Sequence, residues 1–140
     1  MKKTLVDTGH WIGAFYDRDN WSKEGKRFLK WFEDQDGEKS RIIITYGILT
    51  EIIARLINKI GFKRAKKVLN FILESDKIDI YNESKKYQDE IFEMFETYED
   101  FTLVDSEIIV IYLTLGCDQL VSIAEEFKRV PRINYFRNPQ

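Results

Sequence analysis

Three carboxylates, Asp7, Glu51 and Asp105, stand at junctions between elements of the chain and are its best candidates for chemistry. Asp7 ends the short apolar run Leu5-Val6 and is followed by Thr8 and Gly9. Glu51 falls one turn into a helical pattern that follows a β-branched run, and Asp105 opens the most apolar stretch of the sequence. Each has an ordinary use, since Asp favours Asx turns and helix caps, and acids in a first helical turn are favoured by the helix dipole. Gathered at one place, however, carboxylates without a cation repel one another and take up protons. A hard divalent ion such as Mg²⁺ or Mn²⁺ relieves that repulsion, because it prefers oxygen ligands. An ion so held lowers the pKa of a bound water and stabilises charge on a phosphate, so the implied chemistry is metal-dependent hydrolysis of phosphodiester bonds.

The elements that must position these acids can be read from the apolar pattern. Residues 3–6 make a first strand, and residues 41–45, Arg41-Ile42-Ile43-Ile44-Thr45, a second whose continuous apolar character suits a parallel strand covered on both faces. Between them, residues 11–16 can form a short helix and Ser22 can cap another whose stripe is Phe28, Leu29 and Phe32. Residues 47–60 carry a broad stripe of Ile48, Ile52, Ile53, Leu56, Ile57 and Ile60 closed by Gly61. A helix over 62–75 follows, with Ala65, Val68, Leu69, Ile72 and Leu73 inward, so the pair reads as a helical hairpin standing out from the sheet. Residues 77–82 alternate as a short strand, and 84–98 make a charged helix that buries Tyr87, Ile91, Met94, Phe95 and Tyr98. The helix opened by Asp105 ends at Gly116 and is apolar nearly all round, as an interior helix is. Residues 119–123 form a fourth strand and 132–136 a last edge strand, with a turn of helix at 124–127 between them. Strands alternating with helices predict an α/β fold with a parallel sheet of about five strands and right-handed crossovers. In such a sheet the three acids open toward one edge.

With 140 residues, no repeats and no linker-like tract, the sequence reads as a single domain over residues 1–140. Lys and Arg number 22 against 24 Asp and Glu, a formal charge of −2, which argues against non-specific coating of nucleic acid by summed positive charge. One cysteine, Cys117, and one histidine, His10, exclude an intrachain disulfide framework and a Cys/His zinc cage. The longest apolar run, Ile108 to Leu113, is far short of a membrane span. No apolar block follows Met1-Lys2-Lys3, so the expected location is the cytoplasm and no membrane is expected as a partner.

The stretches Leu5-Val6-Asp7-Thr8, Ile48-Leu49-Thr50-Glu51 and Leu103-Val104-Asp105-Ser106 resemble the first three acidic signatures of the PIN-domain family, and Gly116-Cys117-Asp118-Gln119-Leu120-Val121-Ser122 followed by Phe127 resembles its last block. The resemblance runs from residue 3 to about 136 and rests on the order and spacing of motifs that are each weak alone. It implies a Rossmann-like sheet, a Mg²⁺ or Mn²⁺ site on Asp7, Glu51 and Asp105, and endoribonuclease activity of the kind found in VapC-type toxins. Such toxins usually form homodimers and are silenced by a cognate antitoxin protein. The family usually carries a fourth acid two residues after the Ser or Thr that ends the last main strand; here that residue is Ala124. Asp118 and Glu126 are the nearby acids that can substitute for it as metal ligands. A non-catalytic relative that binds RNA or protein is the rival reading. A phosphoacceptor receiver domain fits less well, since it needs adjacent early acids and a lysine near Ser122, and Gly9 occupies the second Asp position of a DxD phosphatase.

The other candidates concern RNA. Thr8 and Ser122 can position a ligand at strand ends or simply cap helices, and Arg55 can steer RNA or pair with Glu51 one turn before it. Lys63, Arg64, Lys66 and Lys67 form a basic cluster that reads as a phosphate-contacting arm or as an ordinary solvated face. His10 can assist proton transfer but fits equally a hydrogen-bonded structural role. Trp31 reads as partly core, Trp11 and Trp21 as interface, and Cys117 as a small buried hydrophobe.

Overall fold

The uninterrupted apolar runs of the first two strand segments become the centre of a sheet whose strands are covered on both faces. In the computed structural model, which describes residues 1–140, β1 (Lys2–Val6), β2 (Ser40–Thr45), β3 (Ile78–Tyr81), β4 (Gln119–Val121) and β5 (Tyr135–Phe136) lie in the order β3-β2-β1-β4-β5. Every neighbouring pair is parallel. Leu5, Val6, Ile42, Ile44, Leu120 and Val121 have no solvent exposure. Chain order runs outward from β1 to β3 on one side and from β4 to β5 on the other, so it reverses between β1 and β4. Open α/β sheets form their ligand crevices at that reversal, outside the carboxyl ends of the strands.

Six helices cover the sheet: α1 (Thr8–Phe15), α2 (Ser22–Glu33), α3 (Tyr46–Ile60), α4 (Phe62–Glu74), α5 (Gln88–Thr97) and α6 (Leu103–Leu115). Helix α6 is interior, as its sequence predicts: Ile108, Ile109, Val110, Ile111 and Tyr112 are all buried. It stops where Gly116 turns left-handed at φ 63°. The α3–α4 hairpin turns at Gly61, φ 87°, and Phe62 at its tip is 69% exposed. Its flank is anchored by Phe71, whose ring meets Phe15 of α1 at 5.7 Å and Phe32 of α2 at 5.8 Å. No helix is long and apolar enough to cross a membrane.

The structure revises several local expectations. Helix α1 begins at Thr8 rather than Trp11 because Asp7 caps it, and α2 starts at Ser22 with Trp21, not Ser22, in the capping position. Trp11 is fully buried, its ring edge-on to Phe28 at 4.8 Å, so it is core and not interface. Residues 84–98 split into a 3-10 turn, Ser84–Tyr87, and α5, which fully buries only Ile91 and leaves Phe95 exposed. Ile57 and Leu73 are also exposed, since α3 turns only Ile48, Leu49, Ile52 and Leu56 into the core and α4 only Ala65, Val68 and Ile72. The last strand is two residues long because Arg132, at φ 69°, breaks the extended backbone ahead of it.

Helices α1 and α2 cross at a contact that only glycine permits. A Cβ on Gly13 would sit 2.2 Å from the Trp21 carbonyl oxygen, and one on Gly25 would sit 2.2 Å from the Gly13 carbonyl carbon. These obstacles are backbone, which cannot rotate away. Gly25→Ala should therefore lower unfolding free energy by roughly 1–3 kcal/mol, the usual range for overpacking, as measured by urea denaturation. An unchanged midpoint would show that the two helices can separate at no cost.

Candidate acidic site at the carboxyl edge

Asp7 is the most constrained acid in the molecule. It follows the last residue of β1, and its amide donates to the Val121 carbonyl at 2.9 Å, extending the pairing of β1 with β4. Its Oδ1 accepts from the Thr8 amide at 2.7 Å, which caps α1, and its Oδ2 accepts from Ser122 Oγ at 2.8 Å. Ser122 Oγ in turn accepts from the Ala124 amide at 3.0 Å. The helix cap alone needs no burial, yet Asp7 is only 9% exposed. Burial pushes its carboxyl up to about 6, the bonds from Ser122 and Thr8 oppose that rise, and the charges of Asp105 and Glu51 add to it.

Glu51 and Asp105 act on Asp7 through their charges, although the three come from separate parts of the chain. Glu51 lies in the second turn of α3, half-exposed, with Arg55 Nη1 at 3.7 Å from its Oε1. Asp105 is the third residue of α6 and forms a reciprocal capping box: its amide donates to Thr102 Oγ1 at 3.1 Å, and its Oδ2 accepts from the Thr102 amide at 2.9 Å. Partial burial raises the Asp105 carboxyl, and the Glu126 charge pushes it further the same way. No three His, Cys, Asp or Glu side chains are gathered tightly enough to form a ready-made metal cage. Glu51 and Asp105 are instead held by Arg55 and Thr102.

The donors nonetheless fit a hard divalent cation. They are all oxygens, they carry excess negative charge, and the adjacent Thr8 Oγ1 is buried with no hydrogen-bond partner. Mg²⁺ or Mn²⁺ would be held by Asp7, Glu51 and Asp105, with Glu126 able to approach from the 3-10 turn Glu125–Arg129.

The other predicted site residues divide between this edge and the rest of the molecule. Asp118 accepts from the Lys3 amide at 2.8 Å, and the β1–β4 register pairs Thr4 with Gln119. It therefore stands at the amino edge, about 13 Å along the sheet from Asp7 at 3.3 Å per residue, and cannot replace a fourth acid. Its place just before a strand already carried that information. Thr8 and Ser122 are buried and organise Asp7 rather than facing a polymer. Lys63, Arg64, Lys66 and Lys67 are exposed on the first turns of α4, where Arg64 acts electrostatically on Asp17. Asp17 follows the carboxyl end of α1, whereas Asp7 caps its start. His10 is buried and donates from Nε2 to the Arg137 carbonyl at 2.6 Å; burial lowers its pKa and it is structural. Burial likewise pushes the Cys117 thiol up to about 12, leaving it inert. Sequence reasoning missed Thr102, which fixes Asp105, although the Thr-x-x-Asp spacing is a capping-box signal.

The buried charge sets a pH dependence. Asp7 has a folded pKa of about 6 against 3.8 unfolded, so its penalty is absent below pH 4, grows as pH rises, and is complete above about pH 6. In EDTA at pH 7, Asp7→Asn should be more stable than wild type by about 2–3 kcal/mol, with the difference vanishing near pH 4. Urea unfolding at the two pH values measures this, and a mutant less stable than wild type at pH 7 would contradict it.

No protein-family model matches this sequence, and no curated protein does. Solved structures do match. VapC20 of Mycobacterium tuberculosis, a sarcin-ricin loop cleaving toxin, superposes with a TM-score of 0.75 at 15% identity, covering 89% of this chain and 92% of its own. VapBC-1 of nontypeable Haemophilus influenzae gives 0.67 at 12% identity over 96% of each chain. VapBC2 of Rickettsia felis, solved bound to a DNA fragment from its promoter, gives 0.64 at 15% identity over 96% of this chain and 97% of that one. With its five-stranded parallel sheet and flanking helices, this chain has the VapC-type PIN fold.

Proposed function

We propose that this protein is a Mg²⁺- or Mn²⁺-dependent endoribonuclease that hydrolyses RNA phosphodiester bonds, acting in the cytoplasm as the toxin of a toxin–antitoxin pair. The observation that carries this reading is the buried Asp7 carboxylate, fixed by Ser122 and Thr8 and lying in the field of Glu51 and Asp105. The shared fold with VapC20, which cleaves the sarcin-ricin loop, supports it. A divalent cation held at these oxygens would supply Lewis-acid activation of water and stabilisation of phosphate charge. Asp7 would provide the rigid ligand, Asp105 a ligand braced by Thr102, and Glu51 a ligand whose present partner is Arg55. Glu126, whose charge acts on Asp105, is the proposed replacement for the acid absent at Ala124.

The antitoxin and a second copy of the chain are the proposed protein partners. Ile57, Phe62, Phe71 and Leu73 are exposed on the α3–α4 hairpin and supply apolar surface for such contacts. Ala124 favours a second reading, a binding module that no longer cleaves, because it removes one oxygen ligand.

Cleavage of a mixed RNA in Mg²⁺, Mn²⁺ or EDTA separates the two. Asp7→Asn, Glu51→Gln and Asp105→Asn should each reduce metal-dependent cleavage by roughly 100-fold or more, at least the loss seen for outer-shell changes at metal sites. Metal binding without cleavage would favour the binding module. Ala124 follows Ser122 by two residues, so Ala124→Asp adds an oxygen ligand beside Asp7 and should tighten Mn²⁺ binding in calorimetry. Unchanged affinity would show that Glu126 already fills that position.

A further inference from the structure

We propose that the cavity beside Asp105 is a subsite for an unstacked base of single-stranded RNA, guanine foremost. The proposal rests on the nuclease reading above and specifies how that site meets its substrate. The cavity measures about 270 Å³, close to the lower end of small-ligand sites at about 300 Å³. Gly47 forms one wall, with Ser84, Gln88, Phe92, Leu103 and Glu107 around it. Gly47 is the second residue of α3, just after the carboxyl end of β2, and Ser84 follows that of β3. Leu103 and Glu107 flank Asp105 on the first turns of α6, and Glu51 lies one turn along α3 from Gly47. The cavity thus opens on the edge that carries the acids.

Its lining has two complementary chemistries. Phe92 and Leu103 are 45% and 48% exposed at the rim, and an exposed ring offers a face on which a splayed base can stack. Glu107 and Ser84 also line it, and neither Glu107 Oε1 nor Ser84 Oγ has a hydrogen-bond partner. Leaving such acceptors unmatched is costly, and a ligand bringing N–H donors relieves it. Glu107 Oε1 lies so close over Gly47 that a Cβ there would stand 2.6 Å away, so the glycine makes room for the carboxylate. A carboxylate wall repels phosphate and accepts hydrogen bonds, so it selects a base edge rather than the backbone. Guanine offers adjacent N1–H and N2–H donors that match a carboxylate in pairs. Uracil offers one N–H between two carbonyls, which repel it. Lys85, exposed beside the cavity, is placed for the neighbouring phosphate.

Fluorescence anisotropy in EDTA, where no cleavage occurs, tests the subsite on the full chain with two labelled single strands, oligo-U and oligo-U carrying one G. Wild type should bind the G-containing strand roughly tenfold more tightly, the discrimination of one good bidentate contact. Glu107→Gln should remove most of that preference without weakening oligo-U binding, and Phe92→Ala should weaken both strands. Asp7→Asn should keep the preference, which separates this proposal from the catalytic one. Equal affinity of wild type for the two strands, no binding of either, or a preference that survives Glu107→Gln overturns the subsite. An arginine-rich peptide that binds in a Glu107-dependent way while G gives no preference would also overturn it, assigning the cavity to a protein partner. Metal-dependent cleavage without G preference leaves the nuclease and removes the subsite. G-selective binding without cleavage does the reverse.

Discussion

Burying a carboxylate at the end of the central strand is the constraint around which this protein is arranged. Asp7 reaches that position because Leu5 and Val6 carry β1 through the core, and its oxygens are then claimed by two elements at once. Thr8 binds it to the start of α1, and Ser122 binds it to the end of β4, 115 residues later in the chain. These bonds stabilise the charged form, but burial and two neighbouring acids outweigh them. The apoprotein therefore holds electrostatic tension at one point of the sheet edge, where a divalent cation would release it.

The surrounding acids are held with graded stiffness. Asp105 belongs to a capping box, so its backbone and side chain are fixed together, whereas Glu51 is half-exposed and tied only to Arg55 at 3.7 Å. Ion pairs of that exposure contribute little to stability, so Glu51 can change partners easily. Helix capping and the proposed ligation are compatible at Asp105 because the box engages only Oδ2. The ordinary reading of Asp7 and Asp105 as caps is thus correct and incomplete. What a cap does not require is the burial of Asp7 or the charges of Glu51 and Asp105 acting on it.

The scaffold keeps this edge in shape through contacts far from it. The Gly13–Gly25 crossing lets α1 and α2 approach to backbone contact, with Trp11 and Phe28 filling the space beside it. That seats α1, whose first turn Asp7 caps. Gly47 plays a different part, leaving space for Glu107 rather than for another helix.

The sequence by itself determined the parallel α/β class, the interior helix ending at Gly116, the turn at Gly61 and the three junction acids. These are legible because strand continuity, helical periodicity and glycine punctuation are properties of neighbours along the chain. Tertiary structure decided the rest. Trp11 has no periodic partner to announce its burial, and Phe95 and Leu73 stay exposed although Ile91 and Ile72 on the same helices are buried. The β1–β4 register puts Asp118 on the edge opposite Asp7. The bond from Ser122 to Asp7 and the unpartnered Glu107 over Gly47 depend on how strands and helices align across the fold. Local pattern sets which elements form; register and crossover direction, fixed only when the sheet assembles, set which side chains meet.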